Sequence, residues 1–292
     1  MELMKVLFII NAHSGLKNSK AALLDVLDVF CHHGHQVTCY VTQKANDAYE
    51  YLVDLKMTYE LVCVFGGDGT MNEVTNALMR KRKRPLLGYF PSGTMNDFGS
   101  NFDLGNDFKK IANRICKQNI RPFDVGKFND RYFNYVAAFG AMCDVPFTTD
   151  RKSKEVLGNI AYILEGISKL PDIHKNHVSY RINGESYEQD ILFGLIYSGN
   201  RVAGMQLESD KRSRIDDGLF NVLMVEYVPS IFEAPDLITT LIHQERFIHT
   251  YRSDQIELEF KNKIIWTLDG EEAKVRDRAK ITICNKALKL LA

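Results

Sequence analysis

Apolar and polar positions follow two regimes along this chain. Up to about Pro122, short apolar runs alternate with stretches whose apolar residues recur at helical spacing. Leu3–Ile10 is a continuous apolar run, the pattern of a strand covered on both faces. Leu23, Leu27, Phe30 and Cys31 fall at i, i+4, i+7 and i+8 and predict a helix, which His33-Gly34-His35 ends. Val37, Cys39 and Val41 alternate as a second strand, and Asn46 is placed to cap a helix through Leu55. Leu61–Phe65 predicts a third strand, Thr70–Arg80 a helix and Leu86–Phe90 a fourth strand. Phe108, Ile111, Ala112 and Ile115 mark one face of a further helix. Elements alternating at these connection lengths predict a parallel, helix-covered sheet.

From about Phe123 the pattern turns to strands. Runs at Arg131–Phe139, Val178–Ile182, Ile191–Tyr197, Leu219–Val225, Gln255–Phe260, Ile264–Leu268 and Lys280–Cys284 recur with turn signals between them. Asn183-Gly184 sits where a tight hairpin needs positive φ, and Asn262-Lys263 predicts a second short loop. Helices are expected at about Lys154–Leu170 and Ser230–His249. The fold class is therefore α/β: an N-terminal parallel-sheet domain over 1–122 and a C-terminal antiparallel domain, a β-sandwich or barrel-like sheet, over 123–282. Whether residues 283–292 return to the first domain is not readable from pattern.

Composition narrows the classes. At 292 residues the chain divides into about two domains. Lys+Arg 37 against Asp+Glu 37 leaves no bulk positive field, which disfavours a nucleic-acid partner. Apolar runs such as Val6–Ile10 fall far short of the ~20 residues that cross a bilayer. The start, with one Lys and a short apolar run ending at Asn11, reads as a buried strand and not as a signal peptide. Six scattered cysteines show neither disulfide nor zinc spacing, so a reduced, cytoplasmic protein is the simple expectation.

The most informative feature is a local echo. Gly66-Gly67-Asp68-Gly69-Thr70-Met71-Asn72-Glu73 follows the third strand, and Pro91-Ser92-Gly93-Thr94-Met95-Asn96-Asp97 follows the fourth. In each, Thr is expected to cap a helix, with Glu73 completing a capping box on Thr70. Neighbouring parallel strands put both turns at the carboxyl edge, where open α/β sheets bind ligands. Glycines let the backbone approach an oxyanion, and helix-start N–H groups favour negative charge. Asp68, Glu73 and Asp97 would repel a polyphosphate unless a divalent cation lay between, so phosphate with acids implies Mg²⁺ and a nucleoside triphosphate. Two plain helix caps are the competing explanation; the extra Asp in the glycine loop weighs against it. Asn11-Ala12-His13-Ser14-Gly15 after the first strand and Thr42 after the second could face the same edge.

GGDGTMNEV at Gly66–Val74, PSGTMNDF at Pro91–Phe98, NAHSG at Asn11–Gly15, Asp216-Asp217-Gly218-Leu219 and Asp269-Gly270-Glu271 occur in one order and spacing. In these motifs, across nearly its whole length, the chain resembles the diacylglycerol kinase catalytic-domain family, and within it the soluble bacterial lipid kinases. The resemblance implies ATP- and Mg²⁺-dependent phosphorylation of a lipid hydroxyl, with ATP on the α/β domain and a β-sandwich facing it. It places nucleotide contacts on Asn11–Gly15, Thr42, Gly66–Thr70, Asn72, Glu73, Gly93, Thr94 and Asn96. Glu271 corresponds to the general base, with Asp269 beside it, and Asp68 and Asp97 join the catalytic acids. A structural Mg²⁺ would be held by the Asp217 carboxylate with the carbonyls of Leu219 and Arg214. Three departures stand out: Ala12 where Pro is usual, Phe-Gly-Ser-Asn after Asp97 where Ala and Arg are common, and a thinned glycine stretch at Arg201–Met205.

By residues alone, Asp269-Gly270 and Asp217-Gly218 read equally well as common DG turns. Arg80-Lys81-Arg82-Lys83-Arg84 is either a solvated helix end or a contact for anionic headgroups. The apolar stripe in 154–170 and Trp266 read as core, and His32, His33 and His35 as a helix-to-strand turn. The partners implied are a lipid substrate and, transiently, the inner membrane surface, with a homodimer left open. A kinase of a soluble acceptor such as NAD, and a degenerate nucleotide-binding regulator, are the alternatives.

Overall fold

The computed structural model describes residues 3–13, 19–143, 174–202, 205–207, 213–227 and 247–292. The expected helix at 154–170 lies outside them, as does nearly all of that at 230–249. The chain divides into two compact units. The first comprises Met1–Val125, Arg131–Asn134 and Cys284–Ala292, and the second Gly126–Asp130 and Tyr135–Ile283.

In the first unit, β1 (Lys5–Ile10), β2 (Gln36–Val41), β3 (Leu61–Gly66) and β4 (Leu86–Pro91) pair in the order β4-β3-β1-β2, each pair parallel. Helices α1 (Ser19–His32), α2 (Asp47–Asp54), α3 (Asp68–Met79), α4 (Asp97–Ser100) and α5 (Phe108–Cys116) connect them or follow β4. The continuous apolar runs of β1 and β3 are buried along nearly their whole length, as strands covered on both faces must be. Phe8, Phe30, Phe65, Phe90 and Phe108 form one aromatic cluster beneath α1 and α5, with centroid separations such as 5.1 Å for Phe8–Phe30 and Phe65–Phe108. The buried stripe of α1 is Val26, Val29 and Phe30, while Cys31 is exposed, so the helix is rotated from the face its spacing predicts.

The order reverses about β1 and β3: β1 leads outward to β2 on one side, and β3 to β4 on the other. The crevice beyond their carboxyl ends is the position at which such sheets take ligands. Asn11 follows β1 there, and Gly66–Asp68 ends β3.

His35 ends the turn between α1 and β2, 4% exposed, where its Nδ1 accepts the Met4 N–H. Burial, aided by His33, lowers its pKa from the usual histidine value. The unfolded chain therefore binds more protons below about pH 6.5, and stability falls as pH drops through that range. Urea unfolding followed by circular dichroism should show this decline in the wild type, and a shallower one in His35→Gln.

In the second unit the described strand pairs are antiparallel. Between β5 (Ile120–Phe128), which with β6 (Arg131–Phe133) leads out of the first unit, and β15 (Glu271–Leu291), which returns to it, lie β7 (Val136–Gly140), β8 (Asn176–Ile182), β9 (Glu185–Tyr197), β10 (Arg201–Val202), β11 (Met205–Gln206), β12 (Phe220–Glu226), β13 (Ile248–Ser253) and β14 (Gln255–Leu268). The final residues of β15 pair in parallel with β4 through Leu290 and Leu87. β7 and β8 share one lane: β9 pairs first with β8 and then with β7, and β14 does the same from the other side. Asn183-Gly184 makes the expected hairpin, with φ of 52° and 85°.

Two expectations fail here. Asn262-Lys263 is not a loop: 255–268 is one strand, whose pairing with β15 shifts register between Glu259 and Trp266. Nor is His249 helical, since β13 begins at Ile248. Trp266 is core as expected, fully buried against Phe128, Phe139 and Phe260 at 4.9, 4.8 and 5.9 Å.

Candidate functional site

The two glycine turns of the first unit touch. A Cβ on Gly93 would lie 2.7 Å from the Gly67 Cα, and one on Gly67 would lie 3.1 Å from the Gly93 Cα. Neither residue has positive φ, so glycine is required here by close backbone approach. The Ser92 N–H donates to the Gly66 carbonyl at 2.9 Å, continuing the β3–β4 ladder into the turns. The Asp68 carboxylate then crosses over, accepting the N–H of Asp97 at 3.1 Å and of Phe98 at 3.2 Å. Asp68 thus holds the start of α4 from the neighbouring turn.

The expected threonine caps do not form. α3 begins at Asp68 with extended Gly67 as its N-cap, which puts Thr70 inside the first turn. There Thr70 Oγ1 accepts from Asn11 Nδ2 at 3.1 Å. α4 begins at Asp97 behind a left-handed Asn96, and Thr94 is exposed in the preceding bend. Asn96 closes that bend instead: its Oδ1 accepts the Gly93 N–H and its Nδ2 donates to the Gly93 carbonyl, both at 2.8 Å. Glu73 forms no capping box with Thr70; its carboxylate accepts the N–H of Asn46 and Ala48, at 2.8 and 3.0 Å, and caps α2. Asn46 itself is left-handed and offers no side-chain cap.

The carboxyl edge of the sheet therefore carries most of the expected nucleotide residues. Asn11 lies beyond β1, where its Oδ1 accepts the His13 N–H at 3.0 Å, with Ala12 between them. Thr42 lies beyond β2, buried and bonded to the Ile10 carbonyl. Gly66, Gly67, Asp68, Gly69 and Thr70 lie at β3, and Gly93–Asp97 at β4. Ser14 and Gly15 lie outside the described residues. Asn72 is buried in α3, and its Nδ2 donates to the Tyr132 carbonyl at 3.2 Å, away from the turns. Helix geometry leaves the N–H groups of the first turn of α3 pointing out of the helix, and glycine at the N-cap brings no side chain to compete for them. That is a fitting cradle for phosphate. Asp68 and Asp97 are the acids of the same turns, Asp97 only 2% exposed.

Arg80–Arg84 lies at the other end of α3, ~18 Å along its axis by helix rise. Lys81 Nζ donates to the Leu55 carbonyl and Arg84 Nη1 to that of Ala287, so two of the five cations tie down local backbone.

In the second unit, Asp269 and Gly270 are the corners of the β14–β15 hairpin, with φ of 52° and 84°. Asp269 is 3% exposed, and its Oδ1 accepts the N–H of Tyr135 at 3.0 Å and Val136 at 3.2 Å. Its own N–H donates to the Val136 carbonyl at 2.8 Å. Asp269 therefore pins the hairpin to β7. Glu271, the first residue of β15, is exposed, and its side chain makes no hydrogen bond or ion pair among the described residues. Of the two acids, Glu271 is the one available to another molecule.

In the Asp217 turn the carboxylate is engaged by three donors. Oδ2 accepts the Arg214 N–H at 2.8 Å and Arg252 Nη2 at 2.6 Å, and Oδ1 accepts the Leu219 N–H at 3.0 Å. Nothing in the sequence links Arg252 with this turn, 35 residues away.

Residues 5–128 match the model of the diacylglycerol kinase catalytic domain. A diacylglycerol kinase of Staphylococcus carnosus is 37% identical over 82% of this chain and 78% of its own. The chain belongs to the diacylglycerol kinase catalytic-domain family. A diacylglycerol kinase of Staphylococcus saprophyticus is 34% identical over 90% of this chain and 87% of its own. The crystal structure of a Bacillus anthracis protein aligns with 100% of the chain and 96% of its own at TM-score 0.81 and 24% identity. At that identity the likeness establishes the α/β fold. Family membership makes the chain an enzyme of the lipid-kinase class.

Proposed function

We propose that this protein transfers the γ-phosphate of ATP, with Mg²⁺, to the hydroxyl of diacylglycerol or a related lipid alcohol. The observation that carries the nucleotide half is the contact of the Gly67 and Gly93 turns, at the switch point of the sheet and beside the open first turn of α3. Backbone N–H groups there can cradle phosphate, and neither Gly67 nor Gly93 brings a side chain to the approach. Asp68 and Asp97 are the acids of these turns suited to Mg²⁺. When bound, that ion neutralises charge on the phosphate oxygens.

The acceptor half rests on the Asp269–Glu271 hairpin. Asp269 is spent on the Tyr135 and Val136 amides, which leaves Glu271 to orient the acceptor hydroxyl and take its proton during attack on the γ-phosphate. The antiparallel pairing of this unit is in keeping with a β-sandwich as the lipid-substrate domain.

No helix among the described residues is long and apolar enough to cross a membrane. A diacylglycerol is held in a bilayer by its acyl chains, so the reaction is placed at the cytoplasmic face of the inner membrane, visited transiently. Incubation with radiolabelled ATP and Mg²⁺ should label dispersed diacylglycerol and leave NAD unlabelled. Labelling of NAD alone, or ATP binding with no acceptor labelled, would refute the lipid assignment.

A further inference from the structure

The Asp217 turn carries an arrangement that a divalent cation does not explain. It spans Ser213–Leu219 and leads into β12. Asp217 draws the turn closed from both sides, through the N–H of Arg214 three residues back and of Leu219 two residues on. The third bond to its carboxylate comes from β13, where Arg252 lies opposite Asn221 in the β12–β13 register. Both partners are largely sheltered, the Asp217 side chain being 18% and that of Arg252 28% exposed. Next to them Arg214 grips Asp216 through two bonds, at 2.9 and 3.0 Å. Asn221 anchors the near end of the turn, its Nδ2 reaching Ser213 Oγ at 2.6 Å and the Gly199 carbonyl at 3.1 Å.

Each acid of the turn is thus matched by an arginine. A Mg²⁺ ion on Asp217 would need near-octahedral oxygen ligands at about 2.0–2.1 Å. Here the same carboxylate oxygen already takes a guanidinium, and a second cation would meet it at close range. The donor set therefore does not fit the structural metal that the family resemblance suggests.

We propose that Arg252 stands in for a divalent cation at the Asp217 turn, so that the second unit keeps this turn closed without metal. A guanidinium is a permanent cation built into the chain, so closure does not depend on metal supply. The inference holds whichever acceptor the enzyme serves.

Calorimetric melting of the full-length, nucleotide-free protein tests it, comparing EDTA with saturating Mg²⁺. Any Mg²⁺-induced shift should be equal in the wild type and in Asp217→Asn, because neither holds metal at the turn. Arg252→Met should melt several degrees below the wild type in EDTA. Two results would overturn the proposal. One is stabilisation of the wild type by Mg²⁺ that disappears in Asp217→Asn. The other is an Arg252→Met protein that melts like the wild type in EDTA. If Asp217→Asn does not fold, the Arg252→Met comparison still decides.

Discussion

Glu271→Gln should lower kcat by roughly 10²- to 10⁴-fold, the range for loss of a positioned general base. Its melting temperature should stay at the wild-type value. The side chain is exposed and makes no hydrogen bond or ion pair among the described residues, so the amide removes proton-accepting capacity and little else. KM for the nucleotide should change little, because the substitution is confined to the acceptor hydroxyl. Two controls sharpen the result. Glu272→Gln, at a neighbour that is also exposed, should leave kcat within a few-fold of the wild type. Asp269→Asn should lower both activity and melting temperature, because it weakens the bonds that hold the hairpin on β7. Steady-state kinetics with diacylglycerol, paired with calorimetry, separates the three. A Glu271→Gln enzyme with near-normal kcat would remove the base assignment.

Gly93→Ala should be nearly as damaging by a different route. Its Cβ would sit 2.7 Å from the Gly67 Cα, inside any tolerable contact, and the nearest atom that must give way is backbone. Relief requires the turns to part, which strains the Gly93–Asn96 bonds and the Asp68 bonds to Asp97 and Phe98. Overpacking of this kind costs about 1–3 kcal/mol. ATP affinity should fall at least tenfold, as about 1.4 kcal/mol of misplaced phosphate contacts would produce. Ser92→Ala, one residue earlier, keeps the backbone geometry and should bind ATP within a few-fold of the wild type. Titration calorimetry with ATP and Mg²⁺ reads both. Normal binding by Gly93→Ala would show that phosphate does not rest on these turns.

What the sequence disclosed of this fold, and what it hid, divides by the range of the forces involved. Strands β1, β3 and β4 and helix α5 were legible because period and burial coincide along a single element; β2 showed by its alternation alone, since Cys39 and Val41 are exposed. The echo of Gly66–Glu73 in Pro91–Asp97 was legible as a pair of turns for the same reason. The capping was misread because the Thr-x-x-Glu pattern is local, whereas Glu73 is claimed by α2 and Thr70 by Asn11. Asn262-Lys263 looked like a loop because both residues are polar. They are exposed positions on a strand that β15 partners across a register shift. The division of labour between Asp269 and Glu271 was invisible, since it depends on amides more than 130 residues earlier in the chain. Arg252 belongs with these: no periodicity announces a guanidinium arriving from another strand.

One consequence of the core of the second unit is practical. The chain contains a single tryptophan, and Trp266 is wedged among Phe128, Phe139 and Phe260. Selectively excited indole emission is consequently a private optical channel to that unit, silent about the nucleotide-binding sheet. Set against a far-ultraviolet signal that sums the whole chain, it will show whether the halves of this kinase come apart together or in sequence.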